Sequence, residues 1–128
     1  MMSNKNIKQT FIERAFDFSL NVIKMTDYLP KIRSCWVITD QLIRSATSVG
    51  ANMVEAKAAS SKKDYINFYT HALKSANETV YWLSLLRELQ KVPPEKIDIL
   101  ILEAKELANI LASSIITMKL NSKIKDKI

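Results

Sequence analysis

Apolar side chains recur at intervals of three and four residues along four stretches of the chain, the spacing that places them on one face of an α-helix. The first face comprises Ile7, Phe11, Ala15, Phe18, Val22, Met25 and Leu29. The second comprises Ile38, Leu42, Ala46, Val49, Met53 and Ala56. The third comprises Tyr65, Phe68, Tyr69, Ala72, Leu73, Ala76, Val80, Leu83 and Leu86. The fourth comprises Ile97, Leu100, Ala104, Leu107, Leu111, Ile115 and Met118. The pattern therefore predicts four amphipathic helices.

Residues that start or stop helices lie between these stretches. Pro30 predicts that the first helix, over residues 7–28, ends before it, because a residue preceding proline avoids helical backbone angles. Ser34 is the predicted N-cap of the second helix. Ser61 and Asp64 have capping-box spacing at the start of the third helix, with Asp in place of the usual Glu. Pro94 suits the first turn of the fourth helix.

The order of these elements predicts the fold. Short connections between long amphipathic helices favour antiparallel neighbours. We therefore expect an all-α fold, an antiparallel up-down-up-down four-helix bundle in which residues 1–118 form a single domain. From residue 119 the periodic pattern gives way to a lysine-rich sequence. Residues 119–128 are therefore predicted to form a basic, flexible tail.

Composition agrees with a helical protein of the cytoplasm. One glycine and three prolines are too few for a sheet-rich fold with many tight turns. Cys35 is the only cysteine, so the chain has no internal disulfide and a reducing compartment is favoured. The start of the chain lacks the apolar core of a signal peptide. Charged residues interrupt the most apolar window, residues 97–118, so we expect no membrane span.

The formal net charge is +6, and the basic residues are unevenly distributed. Lys57, Lys62 and Lys63 flank the predicted connection between the second and third helices. The tail carries Lys119, Lys123, Lys125 and Lys127. A basic surplus on some faces is typical of nucleic-acid-binding proteins, and the amides at a helix N-terminus also attract anions. The alternative interpretation is a solvated surface with no charged partner.

Gly50 lies inside the second helix, where alanine is preferred by about 1 kcal/mol. Its neighbours are small, so either close approach of another helix or a bend would account for the glycine. Polar residues stand beside this position and on the third helix, and a buried carboxylate among them needs a partner. We interpret this set as a polar network that fixes helix register, or as a subunit contact. Its members are Arg44, Gly50, Asn52, Glu55, Glu78 and Tyr81.

No motif in the sequence indicates an enzyme. Di-iron bundles use Glu-x-x-His pairs, but the only histidine is His71 and the residue three positions before it is Phe68. Cys35 has no neighbouring general base. A single glycine cannot form a phosphate-binding loop or a nucleophile elbow. We therefore expect no enzymatic activity, cofactor, metal or small-molecule substrate.

Residues 41–86 carry a family resemblance. The matching elements are Gln41, the run RSA at 44–46, SVGAN at 48–52, EA at 55–56, SKKDY at 61–65 and residues 78–86. This region resembles the small four-helix bundle proteins encoded in intervening sequences of bacterial large-subunit ribosomal RNA genes. A related group is the accessory variability protein of diversity-generating retroelements, which partners a reverse transcriptase and its RNA.

The resemblance implies an antiparallel four-helix bundle that assembles into a homopentameric ring. It implies no enzymatic activity, and association with nucleic acid or a ribonucleoprotein is proposed for such proteins. Many of them have proline at the position of Gly50, and both residues fit a bent or interrupted second helix.

From the residues and the resemblance together, we expect a non-enzymatic oligomeric scaffold that binds RNA or a ribonucleoprotein through its basic surfaces. The alternative is a protein–protein adaptor with no direct nucleic-acid contact.

Overall fold

A computed structural model describes the backbone of residues 8–127 and the side-chain surroundings of residues 8–122. Four helices make up this part of the chain: α1 (Phe11–Thr26), α2 (Arg33–Lys57), α3 (Lys62–Leu89) and α4 (Pro94–Lys127). Each helix packs against its sequence neighbours, and α1 also packs against α4. The described residues contain no strand. The expected all-α four-helix bundle is confirmed.

Cross-helix contacts give the direction of the helices. Position 50 of α2 lies against Ala15 of α1, and the Ser19 hydroxyl donates to the Ala46 carbonyl at 3.1 Å. From the first contact to the second, the residue number rises in α1 and falls in α2, so α1 and α2 are antiparallel. The connections, residues 27–32, 58–61 and 90–93, are short, as the up-down-up-down order requires.

Helix boundaries differ from several expectations. Helix α1 begins at Phe11, with Thr10 as N-cap accepting from the Glu13 amide at 3.1 Å, and ends at Thr26 rather than residue 28. Ile7 lies outside the described residues. The Ser34 prediction is wrong, because Ile32 occupies the N-cap of α2 and makes no side-chain cap. Sequence favoured Ser34 for its hydroxyl, but the helix begins one residue before it.

The start of α3 and the start of α4 follow the sequence. The Ser61 hydroxyl accepts from the Asp64 amide at 3.1 Å, as in a capping box. The Asp64 carboxylate accepts from the Ser60 amide at 3.3 Å, one residue before the usual partner. Pro94 is the first residue of α4, where its missing amide hydrogen removes no helical hydrogen bond.

Helix α4 is longer than expected. It continues to Lys127, so residues 119–127 are helical, and the flexibility expected of this basic segment stays a prediction. Lysine and leucine are good helix formers, and the local propensity carries the helix onward after the core-facing pattern stops. At 1.5 Å per residue, the 34 residues of α4 span about 51 Å.

The predicted apolar faces form the interior of the bundle. Described members of the four faces are buried or half-buried, and they form two adjoining clusters, one toward each end. The sequence did not predict a buried polar pair between α2 and α3. The Thr79 hydroxyl donates to Ser45 Oγ at 3.0 Å, and Ser45 donates to the Leu42 carbonyl at 3.1 Å. Both hydroxyls are therefore satisfied in the core, which limits the cost of burying them.

The two tryptophans have opposite surroundings. Trp36 lies in the first turn of α2 with 72% of its surface exposed. Trp82 packs against the apolar cluster that includes Leu83 and Leu86, and its ring meets that of Tyr81 edge-on. The Trp82 indole N–H is buried without a hydrogen-bond partner among the described residues.

Candidate nucleic-acid interface

The basic cluster of Lys57, Lys62 and Lys63 surrounds the α2–α3 connection. Lys57 is the last residue of α2, and Lys62 and Lys63 are the first two of α3. All three side chains are exposed, and none forms an ion pair with a carboxylate in the described region. Lys62 and Lys63 lie at the positive end of the α3 dipole, which adds to the attraction for a phosphate.

An internal carboxylate already occupies part of this helix end. Ser61 caps the Asp64 amide, and the Asp64 carboxylate turns back toward Ser60. An incoming phosphate would therefore meet the lysine ammonium groups rather than a fully open set of amides. The cluster is suited to contact with the backbone of a polyanion, which is independent of base sequence and is weakened by salt.

The lysines from residue 119 onward lie on the last turns of α4. Lys119 is exposed, while the side chains of Lys123, Lys125 and Lys127 lie outside the described region. In an up-down-up-down bundle the C-terminal end of α4 lies at the same end as the α2–α3 connection. Met118 confirms this placement, since it packs in the same cluster as Tyr65 of the first turn of α3. The topology thus brings the two predicted basic groups to one end of the bundle.

Within residues 8–122, the residues proposed as a polar network around Gly50 make no side-chain hydrogen bond or ion pair between helices. Arg44 is exposed and pairs only with Asp40 of its own helix, at 3.8 Å. Asn52 donates to the Ser48 carbonyl at 2.8 Å, again within α2. Glu55, Glu78 and Tyr81 are exposed. The prediction of an internal network is wrong because helical spacing places these residues outside the core, next to the apolar face rather than on it. A subunit contact stays a prediction.

Gly50 does not interrupt α2, and the packing of α1 against α2 does not require a glycine at this position. The helix runs unbroken from Arg33 to Lys57, and the φ angle of Gly50 is not positive. A Cβ atom at this position would lie 3.6 Å from Ala15 Cβ, an ordinary van der Waals contact.

The contact between α1 and α4 includes an ion-pair cluster. The Arg14 guanidinium donates to both oxygens of Glu103, from Nε at 2.8 Å and from Nη2 at 2.6 Å, and also contacts Glu106. Its hydrogen bonds to Glu103 raise the pKa of Arg14 above its ordinary value. On α3, the Arg87 guanidinium pairs with Asp98 of α4, and this hydrogen bond likewise raises the pKa of Arg87.

A groove of about 350 Å³ lies between the outer faces of α1 and α2. Its lining is mainly apolar and comprises Ile12, Phe16, Ser19, Leu20, Ile23, Thr47, Gly50, Ala51 and Val54. Phe16 and Val54 are more than half exposed. Sequence reasoning missed this surface, although Ile12, Phe16 and Leu20 recur every four residues beside the core face of α1. Such a patch on a soluble protein commonly marks an interaction site.

Residues considered for catalysis do not assemble into a site. His71 is exposed on α3, and the Cys35 thiol is buried in the first turn of α2. Within residues 8–122, no three His, Cys, Asp or Glu side chains gather as metal ligands would. No helix in the described part of the chain has the length and apolar character needed to cross a membrane.

Comparison with known proteins gives a family and a structural relative. The family model described as 23S rRNA-intervening sequence protein matches residues 8–113. A crystal structure from Bacteroides thetaiotaomicron, a protein with unknown function from the S23 ribosomal protein family, is 33% identical to this chain. The TM-score is 0.77, and the alignment covers 83% of this chain and 98% of that one. Comparison with curated proteins gives no match.

Proposed function

The chain belongs to the 23S rRNA-intervening sequence protein family, and from this premise we propose that it is a non-enzymatic, self-associating scaffold that binds RNA or a ribonucleoprotein. The observation that carries the proposal is the exposed group of Lys57, Lys62 and Lys63 at the end of the bundle to which α4 brings Lys119. Exposed lysines without carboxylate partners are available to neutralise phosphates, and the net charge of +6 attracts a polyanion from a distance.

Binding to structured RNA across a salt series tests this proposal. We expect an affinity that falls with added salt, because phosphate contacts release counterions. In the K62Q/K63Q variant, the slope of log K against log salt concentration should become less steep by about 0.7–0.9 for each phosphate contact removed. The matched control is K74Q/K105Q, which removes the same charge from exposed positions at mid-helix.

Two results would contradict RNA binding at this end of the bundle. One is the absence of measurable affinity at low salt, and the other is an equal change in slope for the two double variants. If proteins co-purify with the chain and stay bound after nuclease treatment, the adaptor hypothesis replaces RNA binding.

Self-association is the second part of the proposal, with a homopentameric ring as the expected assembly. Its support is the apolar groove between α1 and α2, and we assign a second copy of the chain as the occupant. A ring needs two different surfaces on each subunit that complement one another. The chain has a concave apolar surface in this groove and a separate exposed apolar group, Ile116 and Leu120, on α4.

Light scattering on the purified protein tests the assembly. We expect a mass five times that of the chain, and a Phe16→Glu variant of lower mass, because a carboxylate in an apolar contact is costly to desolvate. Phe16→Leu is the control and should keep the assembly, since it preserves an apolar side chain at the same position. A monomeric wild-type protein at micromolar concentration would contradict the proposal.

A further inference from the structure

A second pocket lies at the opposite end of the bundle from Lys57, Lys62 and Lys63. It is set between the end of α1 and the start of α4 and has a volume of about 230 Å³. Its lining residues are Asn21, Lys24, Met25, Tyr28, Lys96, Ile99 and Leu100. We call this the Tyr28 pocket. Helix α3 spans 28 residues, so about 42 Å separates the two ends, and they can be altered independently.

The Tyr28 pocket combines an apolar floor, an aromatic ring and two cations. Met25 and Leu100 are buried beneath it, while Tyr28 is 62% exposed. The Lys96 ammonium lies 4.2 Å from the centre of the Tyr28 ring, which fixes the ring through a cation–π contact. Neither Lys24 nor Lys96 forms an ion pair with any carboxylate of the described region.

Charge changes sign along the groove between α1 and α4. Toward the middle of the bundle the groove is lined by Asp17, Glu103 and Glu106, of which the two glutamates bind Arg14. Toward the connections, the exposed lysines are Lys24, Lys31, Lys91 and Lys96. The exposed acids within four residues of a member of this group are Asp27, Glu88 and Glu95, and Glu88 contacts Arg87 at 3.7 Å. A polyanion seated at Tyr28 is therefore directed toward the connections and away from the acidic middle.

We propose that the Tyr28 pocket binds one unpaired nucleobase of RNA, stacked on the face of the Tyr28 ring that Lys96 does not cover, with Lys24 and Lys96 contacting the flanking phosphates. Proteins bind single strands by combining aromatic stacking surfaces with cationic side chains along the backbone. The volume is below the range of about 300–1,000 Å³ that holds drug-sized ligands, so it suits a single planar ring system. This inference rests on the proposed RNA binding and adds a site for single-stranded segments.

The test measures binding of a ten-nucleotide single-stranded RNA, the same sequence as duplex RNA, and the same sequence as single-stranded DNA. For the single-stranded RNA, Tyr28→Leu should weaken binding about 5- to 100-fold with little change in salt slope, because base stacking is uncharged. Lys96→Gln should lower the slope by about 0.7, the expected loss for one phosphate contact on a single strand. Tyr28→Phe keeps the ring and should bind like the wild type.

Tyr81→Leu is the matched control, since Tyr81 is 58% exposed but lies on α3 outside the pocket. Thermal denaturation and light scattering establish that each variant keeps its fold and assembly. If Tyr28→Leu does not fold, the salt dependence of binding by Lys96→Gln and Lys24→Gln tests the site instead. A slope equal to that of the wild type in both variants contradicts it. An equal loss on single-stranded DNA supports stacking and widens the ligand to either single strand.

Several outcomes overturn the inference. One is wild-type affinity of Tyr28→Leu for the single-stranded RNA, and another is an equal loss of affinity for the duplex. A wild-type protein that binds none of the three probes overturns both this site and the proposed RNA binding. If K62Q/K63Q weakens RNA binding while Tyr28→Leu does not, the proposed function stands and the Tyr28 pocket fails. The reverse result supports the pocket and moves the binding surface to its end of the bundle.

Discussion

Gly50 lies where α2 packs against Ala15 of α1. The sequence indicated either a close approach or a bend, and periodicity alone could not decide between them. The structure shows no bend, because α2 continues through Gly50 with ordinary helical geometry, and the neighbouring helix leaves room for a Cβ atom. The approach is close without being forced, since a Cβ atom would meet its nearest neighbour at 3.6 Å. Alanine therefore fits in this position.

We predict that Gly50→Ala raises the free energy of unfolding by about 0.5–1 kcal/mol, because alanine restricts the unfolded chain and favours the helix. Urea denaturation measures the change. Gly50→Leu should instead destabilise the protein, since a larger side chain cannot fit against Ala15 without moving α1. A lower urea midpoint for Gly50→Ala would show that the helices are closer than the structure indicates.

Tyr69 is a buried tyrosine whose ring stacks on that of Tyr65, with ring centres 4.9 Å apart. Its hydroxyl lies 3.3 Å from that of Tyr65. Burial, and then the hydrogen bond with Tyr65, raise the pKa of Tyr69 well above its ordinary value near 10. Ionisation of Tyr69 is therefore resisted while the chain is folded.

The raised pKa predicts a loss of stability in alkaline solution. Below about pH 10, Tyr69 is neutral in both states and has no effect on the pH dependence. As pH rises above this value, the unfolded chain releases the proton while the folded protein retains it, so the free energy of unfolding falls. In Tyr69→Phe the fall between pH 9 and pH 11 should be smaller by up to about 1 kcal/mol. Denaturation at the two pH values measures it, and equal falls in both proteins would contradict the assignment.

At the scale of elements, α1 and α4 pack less closely than the other neighbouring helices. Arg14 joins them through its two-oxygen contact with Glu103 and its further contact with Glu106. Two parallel hydrogen bonds fix the guanidinium and carboxylate geometry better than a single point contact does. The side chains of Arg14 and Glu103 are about 70% covered, which limits screening by solvent.

We predict that Arg14→Gln lowers the free energy of unfolding by about 1 kcal/mol. The reason is that Glu103 loses its partner and that the ion pair between α1 and α4 is removed. Arg44→Gln is the control, since Arg44 is exposed and its one ion pair in the described region is long. Its effect should stay within about 0.5 kcal/mol. Thermal denaturation in low and high salt compares the two, and equal effects would mean that the Arg14 cluster is no stronger than a surface ion pair.

The elements were more predictable than their ends. A core-facing helix needs an apolar side chain every three or four residues, so the four apolar faces could be identified from sequence alone. Ends depend on single backbone choices, such as whether Ile32 or Ser34 occupies the N-cap, and the contribution of about 1 kcal/mol from a capping hydroxyl can be outweighed by packing. The continuation of α4 through Lys127 was missed because the apolar pattern identifies only residues that pack against other helices. Helix propensity can extend a helix beyond the last packed residue.

At the scale of the whole molecule, sequence located the lysine cluster but not the Tyr28 pocket. Lys57, Lys62 and Lys63 are close in the chain, so their proximity needs no knowledge of packing. Tyr28 and Lys96 lie far apart in sequence and come together only because α1 and α4 close the bundle. The α1–α2 groove has the same origin, since it arises from two helix faces that no other described residue covers.

Self-association predicts that thermal stability depends on protein concentration. Assembly stabilises the folded state by mass action, so dilution should lower Tm. For the Phe16→Glu variant, whose groove contact is expected to be lost, Tm should change little over the same dilution. Calorimetry over a hundredfold concentration range measures this, and a constant wild-type Tm would contradict an assembly that exchanges with free subunits.

The contrasting surroundings of Trp36 and Trp82 give the protein two internal optical reporters. The exposed indole of Trp36 should emit at long wavelength and be quenched by iodide. The indole N–H of Trp82 is buried and has no hydrogen-bond partner among residues 8–122, so Trp82 should emit at shorter wavelength and resist quenching. Trp36 lies at the end of the bundle that holds Tyr28, and Trp82 lies against the core. Emission at the long-wavelength edge of the spectrum thus reports on binding near Tyr28. Emission at the short-wavelength edge reports on unfolding of the core, and neither measurement needs an added label.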